Sequence, residues 1–247
     1  MTRIRAGLIC ALFAALAAPA AAQETVPEAV PEAVQEAVPE VAPDPEAPPE
    51  PPKPPAQAKA DAIIADGGAG EFFTNVTTSE TVAAVRHNAT GLTCSFPLEG
   101  GGRVHVITDI FPWGDDVACT IPMGEVSVNL YATKRPGMAL ASELGMASEV
   151  IKRRWPKARK HLPASAANPQ VQAPIGAAHA TSWFTVKDKG RDSIARVSVA
   201  VVGGWVIRLR VTGPALDVGG RTELLSDTLW QGALRDTAAS AAAPPPA

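Results

Sequence analysis

The stretch Ile194–Thr212 reads IARVSVAVVGGWVIRLRVT and decides the fold of this chain. It contains two β-rich runs joined by Gly203-Gly204. A two-residue Gly-Gly connection is a strong hairpin signal, because the tight primed turns need positive φ angles. The turn also sets the register, which places Trp205 opposite Val202 and continues outward from that pair.

The second run of this hairpin has two different faces, because side chains alternate along a strand. One face is entirely apolar. It consists of Trp205, Ile207, Leu209 and Val211. The other face carries Val206 with Arg208 and Arg210, beside Val197, Val199 and Val201 of the first run. We therefore expect two central strands of an antiparallel sheet, with at least one helix packed on it.

The rest of the domain adds strands and two helices. The remaining runs with β composition are Thr81–His87, Gly91–Pro97, Arg103–Ile110, Val117–Ile121, Glu125–Thr133 and Ala178–Val186. Met138–Trp155 carries an apolar stripe at helical spacing and ends before Pro156. Val218–Leu234 is a second amphipathic helix, with Leu225 and Leu229 on one face. The sequence predicts an α+β domain in which a single antiparallel β-sheet is packed by a long central helix and a C-terminal helix.

Residues 1–22 have the pattern of a secretory signal peptide. Arg3 and Arg5 precede the apolar run Ala6–Ala18, and Ala20-Ala21-Ala22 is a small-residue cleavage pattern. The run is shorter than the ~20 apolar residues of a membrane anchor. We therefore expect cleavage near Ala22 and a protein of the periplasm or secreted medium, with no transmembrane segment in the mature chain.

Residues 23–59 are rich in Pro, Glu and Ala and contain a Val-Pro-Glu-Ala repeat. Proline favours extended polyproline II and like charges repel one another, so we expect a disordered acidic tether. Within residues 23–58, eight acids and one lysine give a charge of −7, whereas the whole chain carries −3. The remainder after the signal peptide and tether is close to neutral. We expect one globular domain at residues 60–237 and a disordered Ala/Pro tail at 238–247.

Cys94 and Cys119 are the two cysteines that remain once the signal peptide is removed. In an exported chain such a pair indicates a disulfide, because the periplasm is oxidising. Closure of the loop between them contributes roughly 3 kcal/mol by the chain-entropy relation. The pair lacks the CxxC arrangement of a redox site, and together with the scattered histidines it lacks the ligand spacing of a zinc site.

Sequence motifs for catalysis are absent. The chain has no GxSxG, HExxH, P-loop or dinucleotide fingerprint, and none of its four histidines pairs with another at i+2 or i+4. We therefore predict no catalytic residue, no metal site and no cofactor. If the chain were a hydrolase, it would use loop residues such as Asp115, Asp116 and His87.

The one strongly charged feature is KRRWPKARKH at residues 152–161. Its six cations are Lys152, Arg153, Arg154, Lys157, Arg159 and Lys160. Such a run can bind an anionic partner such as lipid headgroups, lipopolysaccharide phosphates or the acidic tether. Alternatively, it complements the C-terminal end of the helix dipole and forms a solvated face. Nucleic acid is not an expected partner of an exported protein.

The order of elements resembles the PsbP-like α+β fold. The segment GGWVIRLRVTGPA at residues 203–215, followed by a helix around Glu223–Leu234, carries the resemblance most clearly. GLTCSFP, VACTI and VNLYATK are also similar to segments of uncharacterised exported proteobacterial proteins. Members of the PsbP-like group mostly act as accessory or binding proteins, so the resemblance implies a role that is not enzymatic.

Three hypotheses for function follow. The leading one is a periplasmic, non-enzymatic binding or accessory protein, which presents a sheet face or its basic helix end to an envelope protein or an anionic envelope surface. The second is an envelope hydrolase that uses the loop acids and histidine. The third is an envelope spacer that acts through its tether.

Overall fold

A computed structural model of the chain describes residues 52–163, 178–215 and 220–242. The predicted signal peptide, the predicted tether up to residue 51 and the last five residues of the predicted tail lie outside this part. The helices are α1 (Pro55–Asp66), α2 (Leu140–Arg154) and α3 (Arg221–Ala242). The strands are β1 (Phe73–Asn75), β2 (Val82–His87), β3 (Thr93–Pro97), β4 (Arg103–Val106), β5 (Asp116–Met123), β6 (Val126–Lys134), β7 (Arg159–Lys160), β8 (His179–Asp188), β9 (Arg191–Val202) and β10 (Trp205–Pro214).

The predicted α+β class is confirmed, but the strands form two antiparallel sheets instead of one. The small sheet has the order β1-β2-β3, and the large sheet has the order β4-β5-β6-β10-β9-β8-β7. Just after β3, the carbonyl oxygens of Pro97, Leu98 and Gly100 accept hydrogen bonds from Lys59 Nζ at 2.6, 3.0 and 2.9 Å. The backbone at the end of β3 and just beyond it is therefore bonded to α1.

The predicted central hairpin is confirmed. Gly203 and Gly204 have φ angles of 56° and 82°, which only a residue without a Cβ adopts at little cost. Trp205 lies opposite Val202, as the turn requires. β10 also pairs with β6, and β9 also pairs with β8, so both strands of the hairpin are central in the large sheet.

Two apolar cores form on the two sides of the large sheet. The first contains the apolar face of β10 together with residues of α1, α3 and the small sheet. The second lies under α2, where Ala147, Ile151 and Trp155 pack against Val197 and Val199 of β9. The apolar stripe predicted for the central helix is thus the face that it buries.

Elements at the ends of the domain differ from the expectations. α1 begins at Pro55, inside the segment expected to be tether; proline suits the first turn of a helix, where its missing N–H costs nothing. α3 continues to Ala242, beyond residue 237. Its buried apolar residues are Trp230, Ala233 and Leu234, whereas Leu224 is exposed. The short strands β1 and β7 were also not expected from the sequence.

Cys94 and Cys119 form the predicted disulfide, with their Cα atoms 6.4 Å apart. Cys94 lies on β3 and Cys119 on β5, so the bond joins the small sheet to the large one. Both residues are fully buried in the first core. Within the described ranges, no helix is long and apolar enough to cross a membrane.

Candidate functional site

The face of the large sheet on which α2 packs is covered over only part of its width. α2 contacts β8 and β9, and the neighbouring strands β10 and β6 carry polar side chains on that face. We call these side chains the polar face. Its cross-strand pairs are Arg208 with Tyr131, Arg210 with Asn129 and Thr212 with Ser127. Alternation in β10 and β6 makes this face polar while the opposite face of the same strands is core.

Glu143 of α2 attaches the helix to this polar face. Its side chain is fully buried, and its carboxylate lies 2.7 Å from the guanidinium of Arg135 and 3.3 Å from that of Arg208. Arg208 Nε and Glu143 Oε1 are buried without an aligned hydrogen-bond partner among the described residues. A buried carboxylate needs cations as counter-charges. Arg135 and Arg208 therefore serve as the ion-pair partners through which Glu143 attaches α2 to the sheet.

A cleft of about 770 Å³ lies where the polar face meets the C-terminal end of α2. Asn129 and Arg210 from the sheet and Arg154 from α2 line it. The turns between β5 and β6 and between β8 and β9 complete the lining, and an ion pair between Glu125 and Arg191 joins these turns. The volume is within the range of small-molecule sites.

A smaller cleft of about 370 Å³ lies beside the edge strand β4. His105, Thr120 and Tyr131 line it together with the loop that follows β4. Burial, with a contribution from Arg103, lowers the pKa of His105. Its Nε2 lies 3.4 Å from Thr120 Oγ1, which is a weak interaction, and no carboxylate or second histidine is bonded to it among the described residues.

The six cations predicted to bind anions are all exposed, and we call them the basic surface. They extend from the last turn of α2 through β7, the edge strand of the large sheet. Lys152 is paired with Glu149 at 2.7 Å, and the Arg154 guanidinium lies 4.6 Å from the Trp155 ring centroid. The helix dipole acts only within the last turn, so it does not account for the cations beyond Trp155. Charges on β7 also protect the sheet edge from pairing.

The three residues considered for hydrolysis do not form one site. His87 is 1% exposed, donates or accepts one hydrogen bond with Thr90 at 2.9 Å, and packs against the rings of Phe73 and Trp205. Burial lowers the pKa of His87 to about 4, so the ring is neutral at neutral pH. The Trp205 that it touches belongs to the apolar face of β10.

Asp116 lies on the opposite face of the sheet from His87. Its carboxylate accepts a hydrogen bond from Thr133 at 2.8 Å, and burial raises the pKa of Asp116. Asp115 is paired with Lys134 at 3.3 Å. Each of the three residues therefore has its own separate partner. In the part of the chain that the structure describes, no group of three or more His, Cys, Asp or Glu is arranged to hold a metal ion.

Sequence reasoning missed the cleft and the ion pair of Glu143. Alternation along the second hairpin strand did place Arg208 and Arg210 on the mixed face, opposite the apolar one. It did not indicate that β6 and β10 are neighbours, since β7, β8 and β9 separate them along the chain. Only that pairing brings their polar side chains together beside Arg154.

The fold is thus an α+β fold with a seven-stranded and a three-stranded antiparallel sheet. No protein-family model matches the chain, and no curated protein does either. Solved structures that are similar to it include two with low TM-scores. A Pseudomonas aeruginosa protein of unknown function is 13% identical, with 68% of this chain and 99% of that chain covered and a TM-score of 0.34. The Saccharomyces cerevisiae Ran-binding protein Mog1p is 8% identical, with 67% and 95% covered and a TM-score of 0.36. At these values the likeness carries no residue role over to this chain.

Proposed function

We propose that this chain is an exported, non-enzymatic binding protein of the bacterial envelope, which attaches to an anionic envelope surface through its basic surface. One observation carries the proposal. Six exposed cations lie within residues 152–160, and three of them lie beyond the helix end. Each Lys or Arg near an anionic membrane contributes about 1 kcal/mol of attraction.

Export is supported by the signal-peptide pattern of residues 1–22 and by the buried disulfide, a bond that forms in oxidising compartments. We propose that the mature protein begins near Gln23 and that the Pro- and Glu-rich segment precedes a folded part that starts at α1. N-terminal sequencing of the protein recovered from a periplasmic fraction tests this. A mature N-terminus at Met1, or recovery only with the cytoplasm, would contradict it.

The binding experiment uses the mature chain from Gln23 and vesicles of phosphatidylglycerol mixed with phosphatidylcholine. We expect co-sedimentation at low salt that declines as the Debye length falls from about 30 Å to below 10 Å. In the site variant, Arg153, Lys157, Arg159 and Lys160 are changed to Ala. This variant should bind more than about tenfold more weakly.

The matched control removes the same number of exposed charges elsewhere, by changing Arg86, Arg103, Arg221 and Arg235 to Ala. It should bind nearly as well as the unmodified chain. Equal losses in the two variants would show that only net charge matters, and an absence of binding at low salt would refute attachment to an anionic lipid surface.

We further propose that the domain belongs to the PsbP-like group. The support is the order of its elements, with a long helix before three antiparallel strands and a C-terminal helix after them. An experimental structure that superposes poorly on PsbP-like members over the large sheet and α2 would contradict this. The hydrolase hypothesis is less well supported, because His87, Asp115 and Asp116 have separate partners.

A further inference from the structure

We propose that the cleft beside Arg210 binds a phosphorylated sugar, by which we mean one phosphate monoester on a body rich in hydroxyl groups. The inference rests on the proposed function in treating the chain as a binding protein. It uses a different surface, since the basic surface lies outside the cleft except for Arg154.

Four cations of the described chain line the cleft, and two of them, Arg210 and Arg154, suit a single oxyanion. Arg191 is paired with Glu125, and Lys189 is exposed in the turn between β8 and β9. Arg210 is half-buried on β10 and has no ion-pair partner among the described residues; the Tyr131 ring lies 6.0 Å from its guanidinium carbon. Its neighbour Arg208 differs, because it is paired with Glu143. Arg154 contributes a second guanidinium at the end of α2. A guanidinium presents a planar set of donors that matches phosphate oxygens.

Neutral donors lie next to Arg210 in the cleft. Asn129 is directly opposite Arg210 in the β6–β10 pair. The Asn129 side-chain oxygen accepts a hydrogen bond from Thr120 at 3.0 Å, so its amide nitrogen remains to donate. Ser127 and Thr212, one row further along the sheet, add two hydroxyl groups to the same lining. Hydroxyl and amide groups both donate and accept, as sugar hydroxyls require.

Acidic side chains come from the two turns that line the cleft. Glu125 is paired with Arg191, and Asp192 is paired with Lys187 at 3.1 Å. Asp188 also lines the cleft. Carboxylates repel a ligand that is anionic over its whole length but accept hydrogen bonds from hydroxyl groups. The cleft therefore fits a ligand with a phosphate toward Arg210 and hydroxyl groups toward the turns.

Isothermal titration of the full chain with glucose 6-phosphate, glucose and inorganic phosphate tests this. We expect glucose 6-phosphate to bind most tightly, inorganic phosphate more weakly and glucose not measurably. Arg210→Gln should weaken binding of glucose 6-phosphate by roughly tenfold or more, because a charged hydrogen bond is lost. Arg86→Gln, on the small sheet, is the matched control and should leave the affinity unchanged.

A second variant keeps the test decisive if Arg210→Gln does not fold. Arg154→Gln changes an exposed residue and should also weaken binding. Unchanged affinity in the folded variants, equal binding of glucose, or no binding of any probe would overturn the proposal. The vesicle assay separates the two proposals, because Arg210→Gln should retain vesicle binding and the variant at Arg153, Lys157, Arg159 and Lys160 should retain sugar-phosphate binding.

Discussion

The guanidinium of Arg196 on β9 lies 2.6 Å from the carboxylate of Asp227 on α3. Arg196 is 3% exposed, and it also donates hydrogen bonds to Ser198 at 2.7 Å and Ser226 at 3.0 Å. Burial lowers the pKa of Arg196 to about 10, although Asp227 acts in the opposite direction. Arg196 therefore stays charged at neutral pH, and α3 is attached to the sheet by a buried charge as well as by its apolar residues.

Asp227→Asn should lower the free energy of unfolding by about 3 kcal/mol, because it leaves a buried cation without its counter-charge. Urea denaturation at neutral pH measures the loss. Asp236→Asn is the control on the same helix, and it should change the free energy little because Asp236 has no ion pair among the described residues. The double variant Arg196→Met with Asp227→Leu should recover most of the loss. A change within about 0.5 kcal/mol for Asp227→Asn would mean that the pair does not hold α3.

Removal of the disulfide should destabilise the domain by roughly 3 kcal/mol, because the unfolded chain gains the entropy of an open loop. The variant is Cys94→Ala with Cys119→Ala, and the measurement is the urea midpoint of the oxidised protein. A reducing agent should shift the midpoint of the unmodified protein in the same direction and leave the double variant unaffected. If reduction changed both proteins equally, the effect would not come from this bond.

His87 should make the domain less stable in mild acid. Its pKa in the folded protein is about 4, against 6.5 for the free side chain. The unfolded chain therefore takes up the proton first, so stability is present above pH 6.5 and is lost as the pH falls towards about 4. The full difference corresponds to about 3 kcal/mol.

The measurement for His87 is the free energy of unfolding at several pH values, for the unmodified chain and for His87→Gln. The unmodified chain should lose about 3 kcal/mol more than the variant across this window. Burial raises the pKa of Asp116, which acts in the opposite direction, but this contribution is common to both proteins and cancels. Parallel curves would show that His87 is accessible to protons in the folded state.

Gly91→Ala tests whether the C-terminal end of α3 packs against the backbone of Gly91. Gly91 has a φ of +71°, and a Cβ there would lie 2.5 Å from Ser240 Cβ and 3.0 Å from the Asp236 carbonyl oxygen. We expect a loss of about 2 kcal/mol from overpacking and backbone strain. Gly100→Ala is the control, because its φ is +92° with no atom within 4 Å. Equal losses in thermal unfolding would show that α3 does not pack against Gly91.

Several features were predicted correctly from the sequence because their determinants are close together in the chain. Gly203 and Gly204 specify the turn and hence the register of β9 and β10, and the stripe ending at Trp155 specifies which face of α2 is buried. The disulfide was predicted because two cysteines remain after the predicted signal peptide. The six cations within residues 152–160 are exposed to solvent, as expected for a strongly charged segment.

Other features depended on the tertiary structure. α1 starts in a proline-rich segment whose composition indicates a tether, and it is stabilised by burial of Ile63 and by the hydrogen bonds of Lys59 to the end of β3. The hydrogen bonds of Lys59 lie at the end of β3, where the small sheet ends and the chain passes to the large one. The pairs of Arg196 with Asp227 and of Glu143 with Arg208 join residues that lie far apart in sequence.

The sequence by itself determined the α+β class, the central hairpin, the two main helices and the cysteine pair, because turn geometry and side-chain periodicity act over a few residues. Only the tertiary structure decided which strands are neighbours, which charges are buried in pairs and that Arg210 and Arg154 line one cleft. Those outcomes depend on packing between distant segments, where the cost of burying a charge and the shape of the apolar surfaces select the partners.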